Sequence, residues 1–214
     1  MKKITAILVA PKLFTVENIC LGLIKHWEIV FKEKIKLIAE KDGYMKNYNG
    51  IIISKNLKYS NKLLDINDLK YLFSIRKEFE NSENKNIIVF AVTLKIIFLV
   101  RVARIFKKNI FVVNCHRGLG RHFNIKEKNK LLFLKRFILI KILTFCCNRS
   151  CINWLTNESD VDFLMNKKVI KKNQKIILTK NSIDIDKYGS FPKSKNNQFE
   201  VVMVSRLIKA KGIE

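Results

Sequence analysis

Glycine and proline are scarce in this chain, 7 and 2 residues among 214. Turns therefore fall mainly to Asn, Asp and Ser, whose side chains bond nearby backbone groups. No internal repeat or low-complexity tract is evident. Uninterrupted apolar runs are also missing. Ile87 to Val100 is broken by Lys95, and Leu131 to Cys147 by Lys135, Arg136 and Lys141. Neither reaches the roughly 18 to 20 residues that span a bilayer, which excludes an integral membrane protein. The opening MKKITAILVAP has lysines before an apolar run but no small-residue cleavage pattern, and reads as a first core strand rather than a signal peptide. Paired cysteines are absent too. Cys20, Cys115, Cys146, Cys147 and Cys151 are odd in number and never take the two-residue spacing of a zinc site. Reduced core thiols in a cytoplasmic protein are expected, with no metal.

Acidic residues are few, 18 against 42 Lys and Arg, for a net charge of +24. Such an excess attracts nucleic acid or an anionic membrane surface. The basic residues are mostly Lys, alongside abundant Ile, Asn and Phe, the mix that AT-rich coding produces. They read as scattered along the chain, so most of the excess is attributed to that bias and a smaller part to a membrane. Neither an aromatic-interleaved basic patch nor a recognition helix is found, so no nucleic-acid partner is expected.

What is present is ample apolar material, 48% of residues, arranged as strands alternating with helices. Strands are read at Ile4–Ala10, Ile35–Ala39, Gly50–Ser54, Asn86–Val92, Ile110–Asn114, Ser150–Leu155 and Ile176–Thr179. Helical spacing occupies Val16–Phe31, Asp68–Phe79, Leu94–Phe106, Leu131–Cys147 and Asp160–Met165. Strands apolar throughout, separated by helices, predict a parallel sheet covered on both faces: a doubly wound, Rossmann-like α/β domain over 1–188. Ligands of such sheets bind beyond the carboxyl ends of the strands. The helix from Leu131 is apolar on most of its circumference. Burial between layers is the expected explanation, a lipid surface the alternative. A polar stretch at 189–198 reads as a linker, and 199–214 as the first strand and turn of a second α/β unit that the chain only begins.

Two loops carry chemistry. Ser205 to Gly212 reads SRLIKAKG after an apolar strand. Arg206 and Lys211-Gly212 flank a prospective helix N-terminus, an arrangement that favours a diphosphate. His116-Arg117-Gly118-Leu119-Gly120-Arg121 follows a buried strand, and two glycines at i and i+2 let a backbone pass close to a ligand. His116, beside Cys115, is either a packed residue or a sugar ligand.

The VSRLxxxKG pattern resembles the opening of the C-terminal domain in family 4 retaining glycosyltransferases of GT-B fold. Asn181-Ser182-Ile183-Asp184 with Tyr188 resembles that family's turn before the interdomain linker, with Ser182 for Gly and Tyr188 for Phe. Gly118 to Arg121 is similar to a loop in members that extend lipid-linked sugars for bacterial surface polysaccharides such as lipopolysaccharide and capsule. Asn18 with Leu21 to Ile24, Ile38 through Asp42 and Tyr44, Thr93 with Lys95, and Asn157, Glu158 and Asp160 match in order. The loop Ala10-Pro11-Lys12-Leu13-Phe14 departs from relatives that carry glycines there.

The resemblance implies a transferase moving a hexosyl or N-acetylhexosaminyl group from a nucleotide-diphosphate sugar, a UDP-sugar first, onto a lipid-linked saccharide, with retention and no metal or cofactor in the transfer step. Arg206, Lys211 and Gly212 would hold the donor diphosphate. Gly118, Gly120, Arg121, Thr93 and Lys95 would line the acceptor side, and His116 would approach the transferred sugar. The family's paired glutamates belong to the C-terminal domain, so the 214-residue chain itself is expected to be inactive. The net charge together with the helix from Leu131 to Cys147 leads to an expected peripheral place at the inner face of the cell membrane. A non-catalytic remnant, or a basic membrane- or nucleic-acid-binding module, is the alternative.

Overall fold

The computed structural model describes residues 4–12, 24–41, 51–52, 57–60, 62, 65–82, 85–119, 123, 130–147 and 151–180, with backbone alone at 51–52, 130, 132 and 151. Readings on Gly120, Arg121, the Asn181 to Tyr188 turn, the 189–198 linker, the 199–214 unit, Arg206, Lys211 and Gly212 lie outside these residues, as do Leu13, Phe14, Asn18 and the Asp42–Tyr44 match.

Among the described residues seven strands form one parallel sheet: β1 (Ile4–Lys12), β2 (Lys36–Glu40), β3 (Ile51–Ile52), β4 (Asn86–Val92), β5 (Ile110–Cys115), β6 (Cys151–Leu155) and β7 (Ile176–Leu178), in the order β3-β2-β1-β4-β5-β6-β7. Described helices are α1 (24–31), α2 (Ile66–Glu80), α3 (Leu94–Ala103), α4 (Lys130–Cys147) and α5 (Glu158–Asn166).

The alternation of strand side chains divides the core. Ile7 and Val9 of β1, Val89 and Ala91 of β4, and Val112 of β5 pack on α2 and α3 through Tyr71, Ile75, Ile96 and Val100, and Cys146 of α4 joins them. On the opposite face Leu8, Leu37, Phe90 and Val113 pack on α1 through Ile24 and Trp27. Trp27 meets Phe90 edge-on at 5.9 Å. Helices thus cover both faces, as strands buried on both sides require. This is a doubly wound, Rossmann-like α/β domain.

Helix α2 begins at Ile66, two residues before the sequence-predicted start, because Asp65 and Asp68 close a capping box. The Asn67 amide donates to Asp65 Oδ1 at 2.9 Å, and the Asp65 amide to Asp68 Oδ2 at 2.8 Å. Its Tyr71 is fully buried. The hydroxyl donates to the Pro11 carbonyl at 2.6 Å and accepts from the Glu40 amide at 2.9 Å, which ties the carboxyl ends of β1 and β2 to the helix. Helix α3 ends at Ala103, before the predicted Phe106, which stands at φ 70°.

Candidate functional site at the carboxyl edge of the sheet

The strand order reverses at β1, which has β2 on one side and β4 on the other. Ligands of open α/β sheets bind in the crevice at such a switch point. Thr93, the residue after β4, borders it. Its backbone stands at φ 79°, ψ 153°, a region that essentially only glycine occupies freely and that costs a β-branched residue roughly 1–3 kcal/mol. The Thr93 amide donates to the Cys115 carbonyl at 3.3 Å, and the Ile97 amide to the Thr93 carbonyl at 2.9 Å. The strained residue is thus clamped between the end of β5 and the first turn of α3. The loop after β5 leaves from the same edge. Its Gly118 adopts φ 92°, with open space where a Cβ would stand, so conformation rather than room calls for glycine.

Lys95, in the first turn of α3, meets Asp68 Oδ1 at 2.6 Å and the carbonyls of Ser60 and Lys62 at 2.8 Å each. These three acceptors match the three ammonium protons. The ammonium also lies 5.3 Å from the Tyr59 ring centroid. Burial pushes the Tyr59 phenol above its ordinary pKa. A cation in the first turn opposes the helix dipole, and the buried Asp68 carboxylate offsets it. Lys95 therefore fastens Ser60, Lys62 and α2 to the strained Thr93 turn.

His116 is 3% exposed. Its amide donates to the Trp154 carbonyl at 2.8 Å, extending the β5–β6 ladder by one residue. Its Nε2 lies 3.2 Å from Asn153 Oδ1 and 3.9 Å from Cys147 Sγ. Asn153 Oδ1 already accepts from Asn114 Nδ2 at 3.1 Å. An oxygen facing Nε2 requires that nitrogen to carry the proton, which sets the tautomer. Burial holds the imidazole below its ordinary pKa of 6.5, against the opposing influences of Asn153 and Asp160. The ring is neutral at pH 7 and joins β5 to β6 and the end of α4.

Arg117 extends over Trp154, its guanidinium carbon 4.9 Å from the ring centroid, and Trp154 Nε1 donates to Thr179 Oγ1 at 2.5 Å. This cation on an indole, at the ends of β5, β6 and β7, was not read from the sequence. The signal available was one Trp near the end of a strand and one Arg just past the next. Asn157 and Asp160 cap α5: the Asp160 amide donates to Asn157 Oδ1 at 2.7 Å, and Asn157 Nδ2 to Asp160 Oδ2 at 3.0 Å.

The edge thus brings together Thr93, Lys95, His116 and Gly118 of the sequence-predicted residues. Arg117 is the cation nearest the glycine turn among the described residues. No three His, Cys, Asp or Glu side chains among the described residues gather as a metal would require. Comparison with protein-family models finds no match, and comparison with curated proteins finds no relative.

Proposed function

We propose that this domain is the acceptor side of a retaining, nucleotide-sugar-dependent glycosyltransferase of GT-B architecture, which extends a lipid-linked saccharide for a bacterial surface polysaccharide. A doubly wound sheet alone hosts many chemistries. The observation that carries the reading is the carboxyl edge itself. A strained Thr93 and a left-handed Gly118 stand on neighbouring strand ends, with Arg117 laid over Trp154 beside them. Held backbone of this kind clusters at ligand clamps. An arginine beside an indole offers a sugar both an apolar face and a charged donor.

The resemblance of Gly118 to Arg121 and of Arg206 to Gly212 to the family's loops supplies the substrate class. In this reading the acceptor's diphosphate and first sugar lie against Thr93, Arg117 and the glycine turn, with Gly120 and Arg121 following. The same resemblance assigns a UDP-sugar diphosphate to Arg206, Lys211 and Gly212. Those groups stabilise charge developing on the leaving diphosphate. Transfer uses no cofactor and needs no metal. His116, buried and neutral, acts here as a positioning residue for the Arg117–Gly118 turn.

Calorimetric titration tests the substrate class. A soluble short-chain prenyl diphosphate carrying one sugar is expected to bind, and Arg117→Ala to weaken it about tenfold, the worth of a charge-assisted contact. Dinucleotide binding tighter than that of the saccharide diphosphate would favour another Rossmann-like activity and defeat the transferase reading.

A further inference from the structure

The turn between α3 and β5 breaks a local rule. Helix α3 closes as the Arg104 amide donates to the Val100 carbonyl at 3.0 Å, and the Lys107 amide then donates to the Arg104 carbonyl at 2.9 Å. Phe106 is the third residue of that Arg104–Lys107 turn and stands at φ 70°, where turns place glycine or asparagine. A bulky side chain is strained there. The ring returns nothing to the fold, since Phe106 is 95% exposed. A residue that costs stability in its backbone and again in its exposed ring is placed for a ligand.

Cations surround the ring. Residues 101–108 read RVARIFKK, four basic side chains and no acid. Arg101, Arg104, Phe106, Lys107, Lys108 and Phe145 line a cleft of about 590 Å³, with the Arg101 guanidinium carbon 5.4 Å from the Phe145 ring centroid. Phe106 also lines a second cleft, of about 220 Å³, with Lys85, Lys107 and Lys108. Among the described residues no acid lines either cleft. The negative end of the α3 dipole favours Arg101 and Arg104, in and just past its last turn. It amounts to about half a charge and fades within a turn, so it does not account for five cations around one exposed ring.

The occupant must bring several negative charges and a flat ring. Inorganic phosphate would answer the cations and leave Phe106 in water, and an uncharged ring would do the reverse. A concave site of this volume takes small molecules, and a nucleotide carries both features in one of them. Its base has a face to stack on an aromatic side chain, and its phosphates match guanidinium and ammonium donors.

We propose that the Phe106 turn is a binding site for a nucleoside polyphosphate, the base against Phe106 and the phosphates among Arg101, Arg104, Lys107 and Lys108. The turn precedes β5, whereas Thr93 and Gly118 follow β4 and β5. The length of β5, at about 3.3 Å per residue, separates the two edges by roughly 15–20 Å. This is a second site, at the amino edge of the sheet, and it stands independently of what binds at the carboxyl edge.

Calorimetric titration of the 214-residue protein with metal-free adenosine triphosphate tests it. Phe106→Ala should weaken adenosine triphosphate about tenfold, the worth of one base stacked on an aromatic ring, and leave inorganic triphosphate unaltered. Lys107→Glu with Lys108→Glu should weaken both ligands more than tenfold. Phe106→Gly should lose the same affinity for the nucleotide yet raise the urea midpoint, because glycine relieves the backbone. Amide shifts on adding adenosine triphosphate should centre on Phe106, Lys107 and Lys108 and spare Thr93 and Gly118. Inorganic triphosphate binding as tightly as adenosine triphosphate, unaltered affinity in Phe106→Ala, or shifts centred on Thr93 and Gly118 would each overturn the proposal. So would a lowered urea midpoint in Phe106→Gly, or tighter binding of a single-stranded oligonucleotide than of adenosine triphosphate. Phe106 is exposed, so its variants leave the core untouched and decide the matter even if the double charge reversal fails to fold.

Discussion

Asn114 of β5 and Asn153 of β6 are register partners in the parallel sheet, and their carboxamides meet at 3.1 Å inside the domain. Asn153 Oδ1 also meets His116, so one buried oxygen serves two strand ends. Replacing Asn153 by Ala would leave the Asn114 donor and the imidazole N–H short of an acceptor. A loss of about 1–3 kcal/mol is expected, the desolvation cost of stranded polar groups. In urea denaturation, Asn114→Ala combined with Asn153→Ala should cost less than the sum of the single variants. Strict additivity would show that the pair does not act as a unit.

His116 makes stability depend on pH. Its folded pKa lies below the ordinary 6.5 because burial disfavours the cation. Above about 6.5 both folded and unfolded states are neutral there, and the full stability is present. As pH falls from 6.5 toward the folded value, the unfolded chain takes up the proton first and the fold weakens. Denaturation midpoints between pH 8 and 5 should therefore decline, and His116→Gln should flatten that part of the decline. An unchanged slope in the variant would mean that the ring does not titrate as argued.

Lys95 and Asp68, 14% and 7% exposed at their side chains, form a buried ion pair. Lys95→Met leaves the carboxylate unpaired and should cost about 3 kcal/mol. Adding Asp68→Asn should return much of that. If Lys95 serves ligand binding more than the fold, Lys95→Met would instead keep its melting temperature and lose affinity for the saccharide diphosphate.

Thr93 holds a glycine-like backbone. Thr93→Gly should raise stability by about 1 kcal/mol in chemical denaturation, the strain relieved less the entropy that glycine loses on folding. A destabilised variant would show that the threonine side chain contributes more than its backbone costs.

The sheet was legible because each central strand carries an unbroken run of Ile, Val, Leu, Phe and Ala, such as Ala6–Ala10 of β1, Ile87–Val92 of β4 and Ile110–Val113 of β5, and such runs between helices leave little choice but a parallel, two-sided sheet. The carboxyl edge was legible as a place, since Thr93 and Gly118 both follow such runs. Its contents were less so. Lys95 stands 27 residues from Asp68, and nothing in local spacing announces their pairing. The Asn114–Asn153 contact depends on a register that only the folded sheet sets. Helix α4 was read as apolar nearly all round, which fits either burial or a lipid surface. One face is buried, as at Leu143, and the other leaves Phe137 half exposed. The cations looked scattered along the chain, yet half of the excess lies in the single segment that carries α3 and α4. Arg206 and Lys211 lie outside the described residues.

The account's central claim is that the carboxyl edge of β4 and β5 receives the sugar-bearing diphosphate, and backbone amide chemical shifts test it most directly. Titration with a soluble prenyl diphosphate monosaccharide, without vesicles or detergent, should move the amides of Thr93, Arg117 and Gly118 and the Trp154 indole N–H. The amides of α4 from Leu134 to Phe145 should stay in place. Saturating shifts at Thr93 and Gly118 at sub-millimolar ligand are the predicted result. Shifts confined to α4 or to the opposite edge of the sheet, or none at millimolar ligand, would contradict the claim.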